Sequence, residues 1–291
     1  MRYHGMVIRP PSEANSYILQ VTYGCSHNRC TFCGTYLDKP FQARKTSEVL
    51  DDIRTAQTMM PGVRRVFLAD GDALVLSTRR LAQILDTLRD GFSQLERVGI
   101  YASAQNLLAK SVDELAIVRE KGLGIVYLGL ESGSDDVLAR VEKGVGSAEM
   151  IAAIRKAKQA GLLVSVIGIL GIGGMELSEE HAQQTGRVVN AMDPDYFSML
   201  TLMLVPGTPL YNQWQAGSFH LLKPSAMLME LHRVISQLDD LTQCVFRTNH
   251  ASNYLPLRGT LSQDKEYLLS VLDGALTQGA TVLRPEAWRG L

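Results

Sequence analysis

The stretch TYGCSHNRCTFCGTY, residues 22–36, places Cys25, Cys30 and Cys33 within nine residues, whereas the one other cysteine, Cys244, lies far along the chain. Gaps of four and two residues between the cysteines form a loop short enough to wrap a single metal centre. Three thiolates can hold three irons of a four-iron cubane and leave the fourth iron open to an exogenous ligand. The absence of a fourth nearby cysteine therefore predicts an open cluster that binds another molecule.

Composition limits the compartment and the partners that we expect. The 291 residues are 46% hydrophobic and 20% charged, with 29 Lys plus Arg against 30 Asp plus Glu. This balance gives no electrostatic reason to expect nucleic acid or an anionic membrane as a partner. The N-terminal residues lack the apolar core of a secretory signal, so we expect a cytoplasmic protein in which clustered thiols stay reduced and bind metal.

Strand-like and helix-like patterns alternate along most of the chain. Near-continuous apolar runs separated by helical spacing predict a parallel sheet covered by helices. Six repeats fit a doubly wound sheet or an open six-unit barrel, since a closed eight-unit barrel would need two more. The predicted strands are 17–22, 64–70, 97–103, 124–132, 163–171 and 196–205, and the predicted helices are 46–60, 78–89, 111–121, 147–160 and 178–192.

The alternation of strand and helix patterns ends at about residue 218. Two helix patterns, 224–241 and 262–278, flank the polar stretch FRTNHASNYLPLRGT. We therefore expect a core barrel over residues 1–217 and a helical C-terminal extension over residues 218–291 that covers it.

A structural zinc site is the alternative for the cysteine loop. Cys25, Cys30 and Cys33 with His27 would make a Cys3His set. His27 lies two positions from Cys25, however, where reaching the same metal is awkward.

The loop resembles that of the radical SAM superfamily. That family usually spaces its cysteines by three and then two residues, with an aromatic residue before the last cysteine, and Phe32 holds that position here. The first gap in this chain is four residues. Further motifs follow in the family's order and are similar to those of its Elp3, MiaB and NifB branch, which includes coproporphyrinogen-dehydrogenase-like proteins. The resemblance covers about residues 14–215.

The resemblance implies which residues contact S-adenosylmethionine. The segment ADGDAL matches the family's Gly-Gly-Glu segment for the amino group, GLESGSDDVLARVEKG matches ribose and carboxylate positions, and VIGILGIGG matches the strand along the adenine. LVPGTPLY closes the sixth unit. The residues implied are Phe32, Asp70, Gly71, Asp72, Ser103, Glu131, Ser132, Lys143, Ile169, Gly171 and Leu204.

The function implied is that of a radical SAM enzyme. A [4Fe–4S] cluster held by the three cysteines would reductively cleave S-adenosylmethionine, and a hydrogen atom would be taken from a small or medium-sized organic substrate. An electron donor such as flavodoxin or ferredoxin is the expected partner, and the implied fold is a partial (βα)6 barrel, TIM-like. A cluster or tetrapyrrole carrier that has lost turnover is the alternative on the same barrel.

The stretch RTNHASNY, residues 247–254, is the most polar part of the predicted extension. It concentrates hydrogen-bonding groups in an otherwise apolar context, so we predict that His250 and Asn253 face the substrate as catalytic residues. The alternative for His250 is a hydrogen-bonded loop anchor. Cys244 is expected to be a buried small apolar residue.

Overall fold

The computed structural model describes residues 1–290, and each of the six predicted parallel strands forms. β2 and β3 flank the cysteine loop, and β9 and β10 arise from the stretch expected to be a polar loop. The ten strands are β1 Tyr17–Gln20, β2 Thr22–Tyr23, β3 Gln42–Ala43, β4 Arg65–Ala69, β5 Arg97–Ala102, β6 Leu123–Glu131, β7 Leu163–Leu170, β8 Tyr196–Thr201, β9 Val245–Arg247 and β10 Arg258–Thr260.

The helices follow the predicted segments closely. Three short helices, α3, α5 and α8, were not expected, and α7 begins earlier than predicted. The helices are α1 Thr46–Met59, α2 Thr78–Gly91, α3 Ala104–Ala109, α4 Val112–Glu120, α5 Asp135–Arg140, α6 Ser147–Gln159, α7 Gly174–Met192, α8 Pro209–Gln215, α9 Pro224–Ser236 and α10 Leu261–Gln278.

Local signals explain several helix boundaries. Ser111 and Glu114 form the predicted capping box at the start of α4, where each side chain bonds the other residue's backbone N–H. Gly161 follows α6 with a φ of +79°, a conformation that glycine adopts without strain. Capping chemistry therefore fixes these ends.

The contacts of the chain divide it into two compact units. The first unit comprises Met1–Asn28, Thr35–Leu128 and Ala152–Val164, and the second comprises Arg29–Gly34, Gly129–Ile151 and Ser165–Leu291. The predicted division at residue 217 stays a prediction, and the two units are described separately.

In the first unit, β1, β4, β5 and β6 lie side by side in that order and are parallel. Phe67, Tyr101 and Tyr127 lie on neighbouring strands of this sheet, and their rings meet edge to face. The buried carboxylate of Glu13 accepts hydrogen bonds from Tyr127 and Arg97 at 2.5 and 2.6 Å. The Glu13 carboxylate is thus paired, as a low-dielectric interior requires.

In the second unit, β7, β8 and β9 are parallel and β10 runs antiparallel to β9. A buried apolar cluster supports this unit and includes Val137, Ile172, Leu202 and Leu210. Helix α9 packs against both α7 and α10, and each of the three helices buries one apolar stripe. No helix among residues 1–290 is both long enough and apolar enough to cross a bilayer.

Candidate cofactor site

The cysteine loop begins in the first unit with a tight turn. Gly24 has a φ of +67°, and a Cβ there would lie 2.3 Å from the carbonyl oxygen of Lys39. Only glycine fits a turn with this φ and this close backbone approach. Cys25 follows directly and is half-buried. The turn therefore fixes how the chain enters the loop.

Asp70, at the end of β4, holds the base of this loop. Its buried carboxylate forms an ion pair with Lys39 at 2.5 Å and accepts hydrogen bonds from Gln20 and the Gly24 N–H at 2.9 and 3.2 Å. Tyr36 adds a fourth contact at 3.3 Å. The predicted cofactor contact of Asp70 stays a prediction, and in the structure its carboxylate is engaged by groups of the loop.

Gly71 lies in the turn after β4 and lets that turn approach Cys25 closely. A Cβ at Gly71 would lie 2.7 Å from the Cβ of Cys25 and 2.8 Å from Cε2 of Tyr36. Such distances are not tolerated without movement of neighbouring atoms. The absent side chain therefore allows the turn and the cysteine loop to touch.

Asp72 connects the turn after β4 to the cysteine loop and to helix α3 in the first unit. Its buried carboxylate accepts hydrogen bonds from the N–H of Ser26 at 3.1 Å, from the Ser26 hydroxyl, and from the amide of Asn106 at 2.9 Å. Ser103 caps α3 by accepting from the N–H of Asn106 at 3.2 Å. Burial raises the pKa of Asp72, and the bonds from Ser26 and Asn106 oppose that rise. Sequence reasoning missed Asn106 and Ser26, whose signals are those of ordinary loop and helix residues.

The second part of the cysteine loop lies in the second unit. The N–H of Cys33 donates to the carbonyl of Cys30 at 3.1 Å, which closes a turn. The backbone of Thr31 binds Val141 and Leu210 at 3.0 and 2.9 Å. Phe32 packs against the apolar cluster that contains these two residues. The predicted aromatic position thus anchors the loop by burial.

The fit of an iron–sulfur cluster rests on donor chemistry. Cys25, Cys30 and Cys33 are each half-buried, and thiolate sulfur is the ligand that such clusters use. Among residues 1–290, no group of three or more His, Cys, Asp or Glu side chains is arranged to hold a metal ion. Three thiols are the kind of donor that an iron–sulfur cluster takes, and within the first unit the absent side chain at Gly71 leaves Cys25 uncrowded.

Glu131 and Lys143 form an ion pair at the end of β6. The ammonium of Lys143 lies 2.8 Å from Oε1 of Glu131, and both side chains are largely buried. Glu131 has a φ of +63°, which turns the chain sharply after the strand. A Cβ at Gly129 would lie 2.1 Å from Glu131 Oε1, so the glycine leaves room for the carboxylate. The structure brings these two predicted residues together.

Ser132 belongs to a buried polar cluster that the sequence did not indicate. Its hydroxyl lies 2.8 Å from Nδ1 of His181 and accepts from the N–H of Ser134 at 3.0 Å. The other ring nitrogen of His181 has no hydrogen-bond partner among residues 1–290 and lies 3.7 Å from Oε1 of Glu230. Burial lowers the pKa of His181 to about 4, so the imidazole is neutral at pH 7.

Glu230, on α9, reaches the end of β7. Its Oε1 accepts a hydrogen bond from the N–H of Gly171 at 2.6 Å, and its Oε2 accepts from the hydroxyl of Ser178. Burial raises the pKa of Glu230 to about 7. Gly171 has a φ of +79°, and Met227 of α9 fills the space that a Cβ would need. Helix α9 therefore fixes the end of the strand that the resemblance associates with adenine.

Ile169 and Leu204 contribute apolar surface. Both are half-buried and pack against the same apolar cluster as Phe32. Val205, next to Leu204, lies against Gly34, where a Cβ would be 2.4 Å from Cγ1 of the valine. Ile169 near the end of β7, Leu204 after β8 and Phe32 of the cysteine loop therefore share one apolar cluster within this unit.

The loop after β9 carries His250 and Asn253. The buried amide of Asn253 donates to the carbonyl oxygens of Met199 and Thr248, both at 2.9 Å, and its oxygen accepts from Thr201 at 2.8 Å. Asn253 thus holds the loop at the carboxyl end of β8, and its catalytic role stays a prediction.

His250 is half-buried, and its Nδ1 accepts from the N–H of Ser252 at 3.1 Å, which places the proton of the neutral ring on Nε2. Burial and the nearby Arg284 lower the pKa of His250. Its catalytic role also stays a prediction.

Two arginines near the end of the chain hold this loop by its backbone. Arg284 donates to the carbonyl oxygens of residues 250, 251 and 253 at 3.1, 2.7 and 3.0 Å. Arg289 donates to those of Ser252 and Leu202 at 2.6 and 3.0 Å and stacks over the ring of Tyr254. Cys244, just before β9, is fully buried, as predicted.

Similar proteins share this architecture at low identity. The heme chaperone HemW of Bacillus subtilis is 21% identical over 216 residues, which are 74% of this chain and 55% of HemW. The methyltransferase TsrM from Kitasatospora setae, solved with cobalamin and a [4Fe–4S] cluster, gives a TM-score of 0.53 at 19% identity over 67% of this chain and 38% of that one. Coproporphyrinogen III oxidase (HemN) from Escherichia coli gives 0.50 at 16% identity over 95% and 71%.

These neighbours confirm the predicted fold class, a mostly parallel α/β sheet of the partial (βα)6 barrel type. The chain spans just over half of the length of HemW. The family model for the radical SAM superfamily matches residues 19–184, which are 166 of 291 residues and include all three clustered cysteines. The family's cofactors are the predicted pair, a [4Fe–4S] cluster and S-adenosylmethionine, and the chain belongs to the radical SAM superfamily.

Proposed function

We propose that this chain is a radical SAM enzyme that acts on a small or medium-sized organic substrate, with Cys25, Cys30 and Cys33 as the cluster ligands. The observation that carries this proposal is the family match over residues 19–184. The matched region includes the loop with the three half-buried cysteines. When bound, the cluster and S-adenosylmethionine supply one-electron chemistry that ends in removal of a hydrogen atom from a substrate. A flavodoxin or ferredoxin would deliver the electron in the cytoplasm.

The residues of this chain would position the loop and shield the reaction. In the first unit, Asp70 and Asp72 accept hydrogen bonds from Gly24 and Ser26, the residues on either side of Cys25. In the second unit, Phe32 buries the loop next to Cys33. Positioning of this kind is the protein's contribution when a cofactor carries the chemistry.

The cofactor-binding residues belong to the same proposal. Glu131 and Lys143 lie side by side and offer both charges that an amino acid headgroup would need. Ile169, Gly171 and Leu204 provide an apolar strand end and a half-buried surface. Ser103, Ser132, Asp70, Gly71 and Asp72 complete the proposed set.

The test is iron binding and cleavage of S-adenosylmethionine without oxygen. Reconstituted protein should hold about four irons per chain and form 5′-deoxyadenosine when a reductant is added. Cys30→Ala should lose both properties, whereas Cys244→Ala, which changes the buried cysteine outside the loop, should keep them. Stoichiometric zinc in place of iron would overturn the proposal and favour the Cys3His alternative with His27.

A second candidate function is a cluster or tetrapyrrole carrier. The similarity to a heme chaperone over 74% of this chain favours it. A carrier would bind iron and heme but form no 5′-deoxyadenosine under reducing conditions. Heme titration together with the cleavage assay therefore separates the two candidates.

A further inference from the structure

One face of the sheet in the second unit is only half-buried. Residues alternate along its strands, so that Val166, Phe197 and Phe246 point to the buried side. The other side, which we call the half-exposed face, carries Ile167, Ile169, Tyr196, Ser198, Leu200, Val245 and Arg247. It includes Ile169, a residue of the proposed cofactor site.

Arg247 is the last residue of β9 and lies on this face. It lies opposite Ser198 in the parallel pairing of β8 and β9. Its Nε is buried and has no hydrogen-bond partner among residues 1–290. A buried guanidinium nitrogen without an acceptor is costly, because water no longer satisfies it.

Arg258 lies directly across from Arg247 in the antiparallel pair of β9 and β10. Residues directly opposite each other share a face, and like charges in such a pair repel. Neither arginine forms an ion pair within residues 1–290. The nearby carboxylate of Asp264 accepts instead from the N–H of Thr260 at 2.7 Å. Two facing cations are therefore left without a compensating anion.

We propose that Arg247 and Arg258 bind an oxyanion group, a carboxylate or a phosphate, of a small-molecule ligand on the half-exposed face. Paired guanidinium groups match such groups bidentately, and Ser198 adds a hydroxyl beside them. Identifying that ligand as the substrate rests on the proposed function, since the face also carries Ile169. The anion site itself does not depend on the cluster.

Anion binding to the reconstituted protein tests the site. Pyrophosphate and succinate, titrated separately by calorimetry at low ionic strength, serve as probes for the two oxyanion classes. At least one should bind, and Arg247→Gln and Arg258→Gln should each weaken that binding about ten- to a hundredfold. Arg79→Gln, an exposed arginine of α2, is the matched control and should bind as the unchanged protein does.

Preference for pyrophosphate would support a phosphate-bearing ligand, and preference for succinate a carboxylate. Binding of neither probe, or equal binding by both variants and the unchanged protein, would overturn the proposal. Thermal unfolding gives a second readout, because Arg258→Gln removes the repulsion and should raise the Tm in buffer without added anion.

Iron content and 5′-deoxyadenosine formation are measured on the same samples. Failure of the proposed function would appear as no iron or no cleavage in the unchanged protein, whatever the anion data show. An anion site without radical chemistry and radical chemistry without an anion site are therefore distinguishable results.

Discussion

Replacing Glu230 by glutamine should change how the stability of the protein depends on pH. Burial raises the pKa of Glu230 from 4.5 to about 7, so the folded state binds the proton more tightly than the unfolded state. The stabilisation from this group is fully present below pH 4.5 and is lost as the pH rises through 7. Glutamine keeps the acceptor for Gly171 and does not titrate, so the variant escapes this loss.

The size of the effect follows from the pKa shift. A shift of this size corresponds to about 3 kcal/mol of unfolding free energy, since each pKa unit is worth about 1.4 kcal/mol. The free energy of unfolding of Glu230→Gln, relative to the unchanged protein, should therefore rise by about 3 kcal/mol between pH 4.5 and pH 7.5. Arg233 of α9 is the nearby charge that favours the carboxylate, and the hydrogen bonds from Ser178 and Gly171 act in the same direction.

His181 acts with the opposite sign. Its pKa is lowered to about 4, so its stabilisation is present above pH 6.5 and is lost as the pH falls through 4. In the unchanged protein the two groups oppose each other between pH 4.5 and 6.5, whereas in the variant only His181 remains. The free energy of unfolding of the variant should therefore increase as the pH rises from 4.5 to 6.5.

Urea unfolding of anaerobically prepared protein, followed by circular dichroism at several pH values, provides the measurement. Glu120→Gln, which replaces an exposed glutamate of α4, is the control for removing a carboxylate from the surface of another helix. A difference between Glu230→Gln and the unchanged protein that does not vary with pH would refute the reasoning.

Three further substitutions test the first unit and the Glu131 pair. Gly71→Ala should lower iron incorporation and destabilise the protein by about 1–3 kcal/mol, because its Cβ would lie 2.7 Å from that of Cys25. The control is Gly62→Ala, since a Cβ at Gly62 meets open space. Equal iron content in the two variants would contradict the argument. Asp72→Ala should reduce affinity for S-adenosylmethionine about tenfold or more, and it should reduce iron retention because the N–H of Ser26 loses its acceptor. Calorimetry measures the affinity and iron analysis measures the retention. An unchanged dissociation constant for S-adenosylmethionine would make Asp72 purely structural. Lys143→Gln should lower the free energy of unfolding, measured in urea, by about 3 kcal/mol, because it leaves the Glu131 carboxylate unpaired. The double variant that also carries Glu131→Gln should regain most of this stability. No regain would show that the two side chains are not coupled.

The sequence predicted the elements that carry regular patterns. β1 and β4–β8 are near-continuous apolar runs, and their helices show helical spacing, so each was found within a few residues. β9 and β10 were missed because each has only three residues: β9 reads Val-Phe-Arg and β10 reads Arg-Gly-Thr, which is too short to show a strand pattern. Only pairing with β8 and with each other makes them strands.

The candidate site divides in the same way. The cysteines, Asp72 and Glu131 were found because they belong to local motifs, whereas Asn106 contacts Asp72 across 34 residues without any local signal. Glu230 did leave a trace, since it lies among Met227, Leu231 and Val234 on the buried stripe of α9. A carboxylate at such a position indicates a specific buried partner, and only the structure identifies that partner as the backbone of Gly171.

Arg284 and Arg289 hold the loop around His250 by hydrogen bonds to its backbone, so the loop depends little on which exposed side chains it carries. Both arginines donate to carbonyl oxygens of residues 250–253, which every amino acid supplies. The path of the loop is therefore set largely by groups that do not vary when its exposed side chains are exchanged. Asn249 and Ala251, whose side chains are exposed, can therefore be exchanged while the main chain keeps its course, so the surface chemistry of this loop can change without a change in its path.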